Sequence, residues 1–152
     1  MTPVAIALGS NLGDREQHLR DALTALAPIV HNLRVSTFHD TAPVGVPGPQ
    51  PMFLNAAAVG ETTLSANALL EQLLAIEASL GRVRPYPNAP RTVDLDLILY
   101  DAAIEESARL TLPHPRFRER RFVLEPLAEI APDWRDPVTG KSVDELLRVL
   151  VV

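Results

Sequence analysis

The chain has 152 residues, 47% hydrophobic and 22% charged, with a formal net charge of −5, a balance ordinary for a globular protein with room for one core. The acidic balance argues against a dedicated nucleic-acid binder, which carries a basic face. No apolar run approaches the ~20 residues of a membrane span, and Met1-Thr2-Pro3 lacks the basic start of a signal peptide. Without cysteine there is no disulfide, thiol nucleophile or thiolate metal site. The expectation is a single cytoplasmic domain over 1–152.

Val4–Leu8 reads as a buried first strand ending at Gly9. Asp14 and Gln17 form a capping-box pattern, and Leu19, Leu23 and Leu26 follow at helical spacing up to Pro28. Leu33–Thr41 alternates as a second strand. Four prolines between Pro43 and Pro51 forbid a helix and mark a long loop. Phe53–Thr62 then reads as a strand. Ser65 caps a helix whose apolar stripe is Leu69, Leu70, Leu73, Ile76 and Leu80, with Gly81 at its stop. A second Pro-rich loop holds Pro85, Pro87 and Pro90, and Thr92–Tyr100 alternates as a strand. After Leu110–Leu112 comes a basic segment to Arg121, then helices opening at Phe122 and over Ser142–Leu150. The order is β-α-β-β-α-β with helical additions. This predicts an α+β, ferredoxin-like core sheet with helices on one face and extra C-terminal helices.

The chemistry concentrates in Arg91-Thr92-Val93-Asp94-Leu95-Asp96-Leu97-Ile98-Leu99. Alternation on a strand sends Val93, Leu95, Leu97 and Leu99 to the core and Asp94 and Asp96 together to the other face. Their Cα atoms would lie roughly 6.5–7 Å apart. Two ionised carboxylates this close repel unless a cation stands by them. Mg²⁺ takes oxygen ligands, often one or two carboxylates plus substrate phosphates. Of the fourteen basic residues all but Lys141 are Arg, clustered at 82–91 and 116–121, and the guanidinium fork suits phosphate oxygens. Carboxylates for metal beside arginines for phosphate form a minimal kit for phosphoryl transfer.

Pro90 to Asp96 resembles the P-R-T-x-D-L-D signature of the 6-hydroxymethyl-7,8-dihydropterin pyrophosphokinase family. The likeness continues in Ala7–Gly13, Phe53–Ala57, Ile76-Glu77, Gly81–Arg84, Leu112–Pro115 and Arg120–Leu127, in the family's order. The resemblance implies an enzyme that transfers pyrophosphate from ATP to 6-hydroxymethyl-7,8-dihydropterin in folate biosynthesis, releasing AMP. It implies Asp94 and Asp96 as ligands of two Mg²⁺ ions, with Arg82 and Arg91 joining them as catalytic residues. Asn55 would bond the pterin edge, Phe122 would stack on the pterin with Phe53 near its other side, and Thr41 and Val44 would line that pocket. Glu77, Arg82, Arg84, Arg91, His114 and Arg120 would serve ATP, with Leu97 and Thr111 against the adenine. The expected partners are these two small molecules alone, with no nucleic acid or membrane, for a monomer.

Three positions depart from the family pattern. Asn88-Ala89 stands where Trp-Gly is common, Pro115 replaces a frequent Tyr, and Phe53 replaces another, which keeps a ring but removes a hydroxyl. No side chain stands out as a general base. Two other readings fit paired aspartates on such a sheet: a metal-dependent nucleotidyl transferase or cyclase, and a non-enzymatic ligand-sensing module.

Overall fold

The computed structural model describes residues 1–41, 52–81 and 92–150. The main sheet runs β2 (His31–Val35), β4 (Phe53–Thr62), β1 (Thr2–Ser10), β5 (Asp94–Tyr100), and the short β3 (His39–Thr41) also pairs with β4. All these pairings are antiparallel. With α1 (Arg15–Leu26) between β1 and β2, and α2 (Ala66–Ser79) between β4 and β5, this is the expected ferredoxin-like arrangement. A small hairpin of β6 (Glu105–Glu106) and β7 (Thr111–Leu112) precedes α3 (Arg121–Ile130) and α4 (Val143–Val149).

Helix ends follow local chemistry. Asp14 Oδ1 accepts from the Gln17 N–H at 3.2 Å, but the Gln17 amide bonds Asp21 instead of reaching back, so half of the expected capping box forms. Ser65 caps α2 through the Ala68 N–H, and Gly81 leaves that helix at φ +82°, a conformation that suits glycine.

The two helices of the β-α-β-β-α-β core share one face of the sheet, as expected, and the additional C-terminal helices cover the other. Leu19 and Leu26 of α1 and Leu69 and Leu73 of α2 pack on Val4, Ile6, Leu8, Leu95 and Leu97. On the other face, Val123, Leu124 and Leu127 of α3 and Val143 and Leu146 of α4 cover Ala5, Ala57, Val59 and Leu99. Leu99 therefore does not share a face with Leu95 and Leu97. The ladder steps from Ile6↔Leu97 to Ala5↔Leu99, so Ile98 is an extra residue that reverses the alternation.

The expected strand Leu33–Thr41 is split in two. Ser36 donates its N–H to the Ala57 carbonyl and accepts the Ala57 N–H on its hydroxyl, both at 2.9 Å, so a side chain replaces a backbone group in the ladder. Phe38 turns into the α1 side of the core, while the Thr37 N–H and hydroxyl go to the Glu129 carboxylate on α3. His39 Nε2 lies 3.0 Å from the same carboxylate.

The C-terminal turn is fastened by Asp136, whose side chain is fully buried. It holds Arg118 through two hydrogen bonds and also accepts from the Thr139 hydroxyl and the Val138 N–H. Burial alone would raise the Asp136 carboxyl, but the bonds from Arg118, Thr139 and Val138 outweigh it and hold the group at about 2. Its stabilising contribution is present above the ordinary carboxylate range and is lost as pH falls toward 2. Asp136→Ala leaves Arg118 without its partner and is expected to lower stability in urea by about 3 kcal/mol. A loss below about 0.5 kcal/mol, the scale of a surface change, would contradict this.

Candidate active site

One cross-strand row organises the site. Gly9 on β1 pairs with Asn55 on β4 and with Asp94 on β5, and Asn55 pairs in turn with His39 on β3. Paired residues point to the same face, so Asn55 and Asp94 flank a glycine, with Cα atoms roughly 10 Å apart by strand spacing. One step toward α3, Ala57, Ala7 and Asp96 form the next row. Asp94 and Asp96 therefore share a face, as the alternation required. Ala7 and Ala57 pack against the α3 core, which identifies that face.

The glycine in the middle leaves room for its neighbours. A Cβ there would lie 3.0 Å from Asn55 Oδ1 and 3.6 Å from a Phe53 ring carbon. Asn55 is 6% exposed and its amide donates to the Thr41 hydroxyl. Phe53 is half-buried and paired with Thr41. Thr41, Phe53 and Asn55 thus meet in one place. Phe122, near the start of α3, is half-buried against the second core, and the Arg120 guanidinium lies 5.5 Å from its ring centre.

Asp94 and Asp96 are half-buried hard-oxygen donors. Among the described residues no cluster of three or more His, Cys, Asp or Glu side chains could hold a metal. The pair of carboxylates fits Mg²⁺, which takes one or two carboxylates and keeps positions for water and substrate phosphate. It does not fit a closed structural metal site.

On the outer side of β5 lies a pocket of about 260 Å³, walled by Leu70 of α2, Leu95, Asp96 and Leu97 of β5, and Thr111 and His114. Leu97 and Thr111 thus line one pocket. Ser107 and Arg109 also line the pocket. No motif marks these two in the sequence, and only the β6–β7 hairpin brings them to β5. The His114 N–H donates to the carbonyl of the bulged Ile98, and His114 Nδ1 accepts from the Arg116 N–H at 3.2 Å. Burial, Arg120 and Arg116 lower His114 to about 4, against an opposing pull from Asp94. The ring is neutral at pH 7, with Nε2 as its donor.

Glu77 is 3% exposed and accepts the Leu95 N–H at 2.7 Å. Val44, Arg82, Arg84, Arg91 and the two Pro-rich loops lie outside the described residues. Among the described residues, no helix is long and apolar enough to cross a membrane.

Residues 5–132 match the family model described as 7,8-dihydro-6-hydroxymethylpterin-pyrophosphokinase. The chain is 44% identical over 152 residues to the 2-amino-4-hydroxy-6-hydroxymethyldihydropteridine pyrophosphokinase of Methylorubrum extorquens, covering 99% of this chain and 94% of the relative. It is 43% identical over 144 residues to the enzyme of the same name from Synechocystis sp., covering 93% and 73%. Wild-type Plasmodium falciparum HPPK-DHPS with pteroate superposes with a TM-score of 0.76 at 10% identity, over 97% of this chain and 44% of that one. This likeness speaks to the fold, and the chain spans less than half of that longer protein.

The His114 ring is expected to titrate near pH 4 when followed by NMR. Because the unfolded chain binds this proton more readily, the group costs stability as pH falls from about 6.5 toward 4. A midpoint above 6 would contradict the burial and arginine contacts that lower it.

Proposed function

The chain belongs to the 7,8-dihydro-6-hydroxymethylpterin-pyrophosphokinase family, and from that premise we propose that it transfers diphosphate from ATP to the hydroxymethyl group of 6-hydroxymethyl-7,8-dihydropterin, in folate biosynthesis. The observation that carries this reading is the row in which Asn55 and Asp94 flank Gly9 on one face. It supports a reading in which a flat heterocycle binds beside a metal-bound phosphate chain.

On the pterin side, Asn55 offers its carbonyl acceptor and its second N–H to the ring edge, the first N–H being held by Thr41. Phe53 and Phe122 supply stacking faces, and Thr41 and Val44 complete the walls. On the nucleotide side, the pocket at Leu97 and Thr111 receives the adenine. His114 donates through Nε2, and Arg120 faces the phosphates. Arg82, Arg84 and Arg91 extend that positive surface, and Glu77 serves the same side. Asp94 and Asp96 would hold Mg²⁺, two ions being expected, and the bound metal would neutralise phosphate charge.

In the transfer, the hydroxymethyl oxygen forms a bond to the β-phosphorus. The bond from that phosphorus to the α–β bridging oxygen breaks, AMP departs with the oxygen, and the hydroxyl proton passes to water. The protein contributes by holding the two reactants in line and by stabilising charge on the transferred group. The enzyme is read as a cytoplasmic monomer of one domain, acting on these small molecules without nucleic acid or membrane.

Incubation with Mg²⁺, ATP and the hydroxymethyl dihydropterin is expected to yield AMP and the pterin diphosphate. Release of pyrophosphate would indicate a nucleotidyl transferase instead, and no turnover would contradict the reading. Asp96→Ala should lower turnover about a thousandfold with unchanged circular dichroism. A variant keeping about a tenth of the activity would refute the metal assignment.

A further inference from the structure

Glu77 sits in the last turn of α2, where the helix dipole disfavours negative charge, and it is 3% exposed, where burial disfavours it again. A carboxyl group kept there needs hydrogen-bond partners. One of them is the Leu95 amide, whose N–H donates to Glu77 Oε2 at 2.7 Å. Leu95 is the residue between Asp94 and Asp96.

Among the described residues β5 ends the strand path, with β1 as its one neighbouring strand. In an antiparallel pair alternate peptides point away from the partner, and the Leu95 N–H is one of these. A further strand would satisfy it, but that strand would fill the pocket that Leu95, Asp96 and Leu97 wall. A single side chain satisfies the amide and leaves the edge open to a ligand. The Leu95 side chain packs in the α1–α2 core, whereas Asp94 and Asp96 alternate to the other face. Glu77 therefore meets the strand through its backbone, from the α2 side.

We propose that Glu77 is a positioning residue whose carboxylate pins the peptide between Asp94 and Asp96, fixing the spacing and facing of the two metal-binding carboxylates. This rests on the pyrophosphokinase reading for its catalytic consequence, but the pinning itself is measurable without substrate.

Two variants separate reach from charge. Glu77→Gln keeps an acceptor at the same length, and Glu77→Asp keeps the charge but falls one methylene short. The readouts are hydrogen exchange of the Leu95 amide in the ligand-free protein, and kcat and KM for ATP. Glu77→Gln should keep the Leu95 amide protected, because it retains an acceptor at the same reach. Glu77→Asp should expose the Leu95 amide and lower kcat about 10- to 100-fold, the scale of a small misplacement, with KM for ATP within roughly threefold. Normal Leu95 protection in Glu77→Asp would overturn the proposal. So would equal rises in KM for ATP in both variants without a change at Leu95, which would mean direct contact with the nucleotide. If the wild type shows no pyrophosphokinase turnover, the functional reading fails, while the exchange data still decide the pinning.

Discussion

Two negative charges held on one face of one strand are the constraint around which the rest is arranged. At ~7 Å and an effective dielectric of ~20, Asp94 and Asp96 repel by about 2 kcal/mol. That is comparable with the ~1–3 kcal/mol carried by a hydrogen bond to a charged group. The strand beneath them must therefore be anchored by more than its pairing with β1. Leu95 and Leu97 are buried in the core on the opposite face, the Leu95 N–H is held by Glu77, and the Ile98 carbonyl is held by the His114 N–H.

The sheet then acts as a ruler. Strand spacing sets the distance from Asp94 across Gly9 to Asn55, and no loop intervenes in that measurement. A glycine occupies the middle position because a Cβ would press on the Asn55 amide. Beyond β4, the Ser36 hook and the Glu129 contacts fasten the segment that carries Thr41, the partner of Asn55. On the α3 side, the Asp136–Arg118 pair fixes the turn that leads into Arg120 and Phe122. Sites built on such rigid elements hold their geometry better than sites built on loops.

Much of this was legible in the residue order. The period-two pattern of Asp94–Leu97 foretold the shared face of the carboxylates, and the strand-helix order foretold the topology. What escaped was whatever depends on one residue breaking a repeat. The bulge at Ile98 moves Leu99 to the second core, and no propensity marks it because all three residues there are apolar and buried either way. Ser36 interrupts a strand by substituting a hydroxyl for a carbonyl, which alternation alone does not reveal. The second helical layer was hidden because an apolar helix face does not say which side of a sheet it will cover. Glu77 is singled out only by the family resemblance, and its bond to the Leu95 N–H is not legible in the residue order.

The central claim is that Asp94 and Asp96 jointly grip a divalent cation against a nucleotide's phosphates. Crystals grown with Mn²⁺, a non-hydrolysable ATP analogue and the dihydropterin test it most directly, because anomalous scattering locates the metal without reference to activity. The account predicts anomalous density between the two carboxylates and the phosphate chain, at about 2.0–2.2 Å from the aspartate oxygens, as small octahedral cations require. Bound nucleotide with manganese elsewhere, or with none near either aspartate, would contradict it.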